Sequence, residues 1–175
     1  MTRTLQLAAA TLRPRRAIPG QHMLDVSVTT MRVHPGDLDL YRHVNNGVYL
    51  QMMDVARSNF LADLGAFGLL NERGWYPVVA SSTVAYKRSL KLWDRFEIHT
   101  RVLGWDERIV YLEQAFWRDG HRYARGLVAG RFLARSGERV SGPDVVALLE
   151  PELAAPELPE DVAGWADALG ISYRA

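Results

Sequence analysis

The chain has no cysteine, which excludes disulfides, thiolate metal sites and a cysteine nucleophile together. That lack suits a cytoplasmic protein. It has no excess of either charge: 21 lysines and arginines face 20 aspartates and glutamates, for a formal net charge of +1. With no overall field to draw in nucleic acid or an anionic membrane, any anionic ligand must be met by local groups. The five tryptophans and seven tyrosines therefore read as packing residues rather than a base-stacking surface. No apolar run approaches the roughly 18 to 20 residues that span a bilayer. His22, His34, His99 and His121 show no metal-like spacing, and His43 with Asp39 supplies two ligands where a catalytic zinc usually takes three.

What is present suffices for one domain: 175 residues, 48% of them hydrophobic, enough to bury a core. Residues 1–22 are Arg-rich and acid-free, offer no convincing cleavage site, and are expected to form a flexible arm, with a targeting or membrane-surface segment as the alternative. "DVSVTTMRV" from Asp25 is a β-rich run that "HPGD" interrupts, because proline cannot donate in a ladder and glycine favours turns. From about Asn45 to Leu64 the apolar positions Val48, Met52, Val55, Ala56, Phe60 and Leu64 recur mostly at helical steps, with Gly65 as a stop.

After a short "AFGLLNERG", four long extended runs follow: "WYPVVASSTVAYKRSL", "DRFEIHTRVLGW", "RIVYLEQAFWRDG" and "HRYARGLVAGRFLAR". Hairpin-length connections between them predict an antiparallel sheet rather than βαβ units. A twenty-residue helix is about 30 Å long, comparable with the width of five curled strands at about 4.8 Å each. The fold class is therefore α+β, with a five-stranded antiparallel sheet able to wrap one long central helix. The body spans residues 23–149, and residues 150–175 form a tail in which "PEDVAGWADALG" reads as a short helix, after the helical "GPDVVALLEPEL".

The stretch "GDLDLYRHVNNGVYLQMMDVAR" resembles the hotdog-fold acyl-CoA thioesterases of the 4-hydroxybenzoyl-CoA thioesterase type. It carries their Asp-x-Asp (Asp37 and Asp39), their His-Val-Asn-Asn (His43 to Asn46) and a tyrosine, Tyr49, ten residues after the second aspartate. It is similar, too, to the acyl-carrier-protein thioesterases of plants, which have Asn in place of Tyr41, and an acid or cysteine is expected near Ser89. "YKRSLKLWDRFEIHTRVLGWDERIVYLEQAF" resembles the sheet of the animal thioesterase superfamily member six group. The resemblance covers residues 25–149. It implies a hotdog fold, hydrolysis of an acyl-CoA or acyl-carrier-protein thioester, no cofactor, and a site built between protomers of a homodimer or dimer of dimers.

A thioester needs a nucleophile or activated water, and donors for the oxyanion. A helix start supplies free amides and the positive end of a dipole. Asp39 is thus a candidate base or nucleophile, or else a turn carboxylate bonding backbone amides. His43 could orient water or carry a proton. Asn45 or Asn46 is the expected cap, with the amides of Asn46 and Gly47 as oxyanion donors. Tyr49 and Ser82 are candidate substrate contacts, Ser82 lying in the small polar patch of Ser81 to Thr83. Lys87 and Arg88 could meet coenzyme A phosphates or serve as edge charges that deter strand pairing. A hotdog hydratase or dehydratase acting on an enoyl or hydroxyacyl thioester, and a non-hydrolytic acyl-CoA binding module, are the alternatives.

Overall fold

The computed structural model describes residues 2–172. Its centre is helix α2, Asn46–Asp63, whose Tyr49, Met52, Met53, Val55, Ala56 and Phe60 are buried at steps that keep them toward one side. Gly65, at φ 66°, ends that run in the left-handed conformation that costs glycine nothing and opens the short helix α3, Ala66–Glu72.

The strands are β1 (Ser27–Arg32), β2 (Trp75–Tyr86), β3 (Arg95–Trp105), β4 (Val110–Arg118) and β5 (His121–Ala134). They pair antiparallel in the order β1-β3-β4-β5-β2. A two-residue β6, Arg139–Val140, pairs with β5 as a sixth strand, too short to leave a periodic signal. Alternation decides the inner face: in β3, Phe96 and Ile98 are buried while Arg95 and Glu97 are exposed. Met31, Phe96, Ile98, Phe116 and Val128 share one core with α2. This is the expected hotdog arrangement.

The N-terminal end departs from the sequence reading, whereas both short helices expected near the C-terminal end are present. Residues 2–12 are helical, not a loose arm: α1, Thr2–Leu12, sets Leu7 and Ala10 against the core and buries Arg3. These positions fall on one face at helical spacing. The partner that makes Arg3 burial tolerable, Asp37, lies 34 positions away, so local composition could not reveal it. After β6, Ser141 caps α4, Gly142–Leu149. The tail then crosses the outer face of the sheet, where α5, Glu160–Ala168, packs Val162 and Ala166 on Leu103, Tyr111 and Leu127 as a second small core. A bulge at Gly104 (φ 155°) makes the crossing possible, since a Cβ there would lie 2.7 Å from Leu158 Cδ2 and 3.2 Å from the Pro156 carbonyl.

Candidate active site

Between β1 and α2 the chain makes a single 3-10 turn, Pro35–Asp37, and then a tight hairpin. The amide of Asn45 donates to the Asp37 carbonyl at 2.8 Å, that of Asp39 to the His43 carbonyl at 2.8 Å, and that of Arg42 to the Asp39 carbonyl at 3.0 Å. Arg42 adopts φ 61°, a conformation uncommon outside glycine. At the hairpin's centre Asp39 Oδ1 accepts the amides of Tyr41 at 2.9 Å and His43 at 3.1 Å. The turn role and a chemical role thus fall to different oxygens of one carboxylate, because Oδ2 has no hydrogen bond among the described residues. Asp39 and His43 are both half-buried.

The hairpin abuts the start of α2. Asn45 is the cap, and its Oδ1 accepts the Gly47 amide at 2.8 Å. Of the two amides expected to face an oxyanion, Gly47 is therefore already engaged, whereas Asn46 has no acceptor among the described residues. The reason is the cap itself: a side-chain oxygen at that position naturally reaches the second or third amide of the helix. Tyr86, absent from the sequence expectations, donates its hydroxyl to the Asn46 carbonyl at 3.1 Å. Only the end of β2 reaching the start of α2 reveals it.

Tyr49 lies in the core rather than on the site surface. It is 2% exposed, its ring 5.0 Å from those of Tyr86 and Phe116, and its hydroxyl accepts the Leu90 amide at 3.4 Å. Burial pushes the phenol pKa up, against the opposite pull of the Leu90 amide. Leu90 in turn accepts the Val44 amide at 3.0 Å through its carbonyl, so Tyr49 supports the hairpin from beneath. Beside this contact a bridge pairs His43 with Lys91. Lys87 and Arg88, whose amides both donate to the Tyr123 carbonyl, are exposed on the same connection. Ser82, opposite Val128 in mid-strand, precedes Tyr86 by four residues, about 13 Å along an extended chain. Within one protomer it stays away from the hairpin.

Sequence reasoning also missed a cavity of about 220 Å³ between the second half of α2 and the sheet. Leu61 of α2 and Leu64 just beyond its end, Pro77 to Val79 of β2, and Leu112, Val128, Gly130 and Phe132 of the inner face line it. Asp54 and Arg57 form its polar wall as an ion pair. Burial lowers the Arg57 pKa, opposed by the Asp54 charge, and Arg57 also donates to Gln114 Oε1 at 2.7 Å. No local pattern announces such a space, since it depends on how far α2 stands from the strands. Among the described residues no group of three or more His, Asp or Glu could hold a metal ion, and no helix is long and apolar enough to cross a membrane.

A carboxylate hairpin at the entrance of a helix wrapped by a curled sheet defines a class. The family model of the Thioesterase-like superfamily matches residues 33–166, and the chain belongs to that superfamily. Among individual proteins it is similar to Protein THEM6 of Xenopus laevis, 35% identical over 135 residues, 76% of this chain and 63% of that protein. The chain thus spans less than two thirds of that relative's length. In structure it is similar to YbaW of Escherichia coli, described as a probable thioesterase, with a TM-score of 0.65, 22% identity, and coverage of 73% of this chain and 98% of that one. The gentisyl-coenzyme A thioesterase BH1999 is 25% identical with a TM-score of 0.62, over 69% of this chain and 98% of that one. The resemblance read from the hairpin and the sheet is borne out at the level of family and fold.

Proposed function

We propose that this protein hydrolyses an acyl thioester, carried on coenzyme A or an acyl-carrier protein, with Asp39 as general base. The observation that carries this reading is the division of the Asp39 carboxylate: two amides hold Oδ1, while among the described residues neither Oδ2 nor the Asn46 amide at the start of α2 has a hydrogen-bond partner. Oδ2 takes a proton from water as the water oxygen bonds to the acyl carbon. The carbonyl oxygen, now negative, faces the Asn46 amide and the positive end of α2. Collapse of the tetrahedral adduct breaks the C–S bond as the proton passes from Asp39 to the departing sulfur, giving the free thiol and the carboxylic acid and regenerating the Asp39 carboxylate. The half-buried His43 stands within the same hairpin to orient the water, while Lys87, Arg88 and Lys91 are the cations available to the phosphates of coenzyme A.

The apolar cavity beneath α2 is the receptacle for the acyl chain, as its mainly aliphatic and aromatic lining suits a hydrocarbon. The protein acts as a homodimer. Strand β2 is a twelve-residue sheet edge with Tyr76 and Val79 exposed, and an edge so long and apolar is normally paired. Pairing through β2 brings Ser82 of each protomer close to its partner.

Free thiol released from a panel of acyl-CoAs measures the activity. Asp39→Asn should lower kcat by about 10²- to 10⁴-fold, the usual size of a general-base contribution. Unchanged release in that variant removes Asp39 from the mechanism, and acyl-CoA binding without release from any substrate overturns hydrolysis. A turnover in ¹⁸O-water that labels Asp39 rather than only the product acid would replace the base by a nucleophile.

A further inference from the structure

Helix α1 meets the hairpin through one ion pair. The Arg3 guanidinium is 2% exposed, and each of its five N–H groups has an acceptor. Nε donates to Asp37 Oδ1 at 3.0 Å, and Nη2 to Asp37 Oδ2 at 2.6 Å and the Arg32 carbonyl at 2.7 Å. Nη1 donates to Gln6 Oε1 at 2.5 Å and Met31 Sδ at 4.0 Å. Asp37 is equally committed: Oδ2 also accepts the His34 amide at 2.7 Å, and its carbonyl accepts the Asn45 amide that closes the hairpin. One buried residue therefore joins α1, the base of the Asp39 hairpin and the cap of α2.

We propose that Arg3 is a positioning residue for thioester hydrolysis, locking Asp37 from α1 so that Asp39 stays aligned with the Asn46 amide. The inference rests on the assignment of Asp39 as the reacting carboxylate. A planar fork is needed, because only a guanidinium satisfies both carboxylate oxygens and the Arg32 carbonyl in one plane. Without it Asp37 is a buried charge lacking its counter-ion and must seek water, and the hairpin hinged on it moves. Displacements near 1 Å at a reacting group cost about 10²-fold in rate.

The test pairs kinetics with amide hydrogen exchange in Arg3→Met. Expected are a fall in kcat of about 10- to 100-fold with KM little changed, and exchange of the Tyr41, His43 and Asn45 amides faster by about tenfold or more. Amides in the middle of α2 should keep their protection, which a general loss of stability would not allow. Should Arg3→Met fail to fold, Arg3→Lys applies the same test, since it retains the charge and loses the fork. Wild-type protection of the hairpin amides in a folded variant overturns the proposal. Loosened amides with unchanged kcat also overturn it, and Asp39→Asn then shows whether the assignment of Asp39 stands: if that variant is inactive, only the positioning role of Arg3 is refuted. A fall in kcat that Asp39→Asn does not share refutes that assignment as well.

Discussion

Gly130→Leu tests whether the acyl chain occupies the cavity under α2. In β5 the side chains of Val128, Gly130 and Phe132 share the inner face by alternation, and all three residues line the cavity. A Cβ added at Gly130 would meet the Val110 carbonyl at 3.5 Å and Leu112 Cδ1 at 3.6 Å, ordinary contact distances. The substitution therefore needs no backbone shift, and the rest of the leucine extends into a space of about 220 Å³. Burying that side chain is worth about 1.5–3 kcal/mol, offset by about 0.5–1 kcal/mol of lost rotamer freedom, so the variant should melt no lower than the parent. Each methylene of substrate buried in the same space contributes about 0.8 kcal/mol, roughly fourfold in kcat/KM. The four carbons of leucine displace about four methylenes, so selectivity for long over short acyl chains should fall by about 200-fold. The assay is thiol release over even-numbered acyl-CoAs from two to sixteen carbons, with a parallel thermal melt. A stable variant with the parent's chain-length profile refutes the placement of the acyl chain in this cavity.

Two further predictions concern stability. Burial would raise the pKa of Glu113, but its hydrogen bond from Arg125 and the charges of Arg101 and Arg125 pull it below its ordinary value near 4.5. The unfolded chain then binds the extra proton first, so this carboxylate's stabilisation is present above about pH 4.5 and is lost as pH falls through the folded value. Urea midpoints should drop over that window, and the drop should be smaller in Glu113→Gln; an identical drop refutes the assignment. At the start of α4, a Cβ on Gly142 would sit 2.3 Å from the Asp106 carbonyl, a backbone atom that cannot swing aside. Gly142→Ala should therefore cost about 1–3 kcal/mol, and an unaltered urea midpoint would contradict the packing described there.

Much of the architecture was legible because it is periodic. The helical recurrence from Val48 to Leu64 places α2, and four β-rich runs with short turns leave an antiparallel sheet as the economical outcome. The position of the hairpin was legible for a different reason: its polar residues are consecutive, so Asp39, His43 and the asparagines are neighbours in the chain before they are neighbours in space. Tyr49 was misplaced on the same logic. Motif spacing identifies the residue but not which face of the helix it occupies, and burial against Phe116 is a property of the sheet wrapped around it.

The sequence by itself determined the order of the body, one strand, one long helix and four long strands, and the segment that holds the candidate chemistry, since local periodicity, turn residues and adjacent polar groups act over a few positions. Tertiary structure alone decided that Tyr86 reaches the start of α2. It alone joined Arg3 to Asp37 and opened the cavity beneath Leu61 and Leu64. Each of these depends on distances between elements far apart in the chain, where burial and geometry, rather than residue type, determine which groups meet.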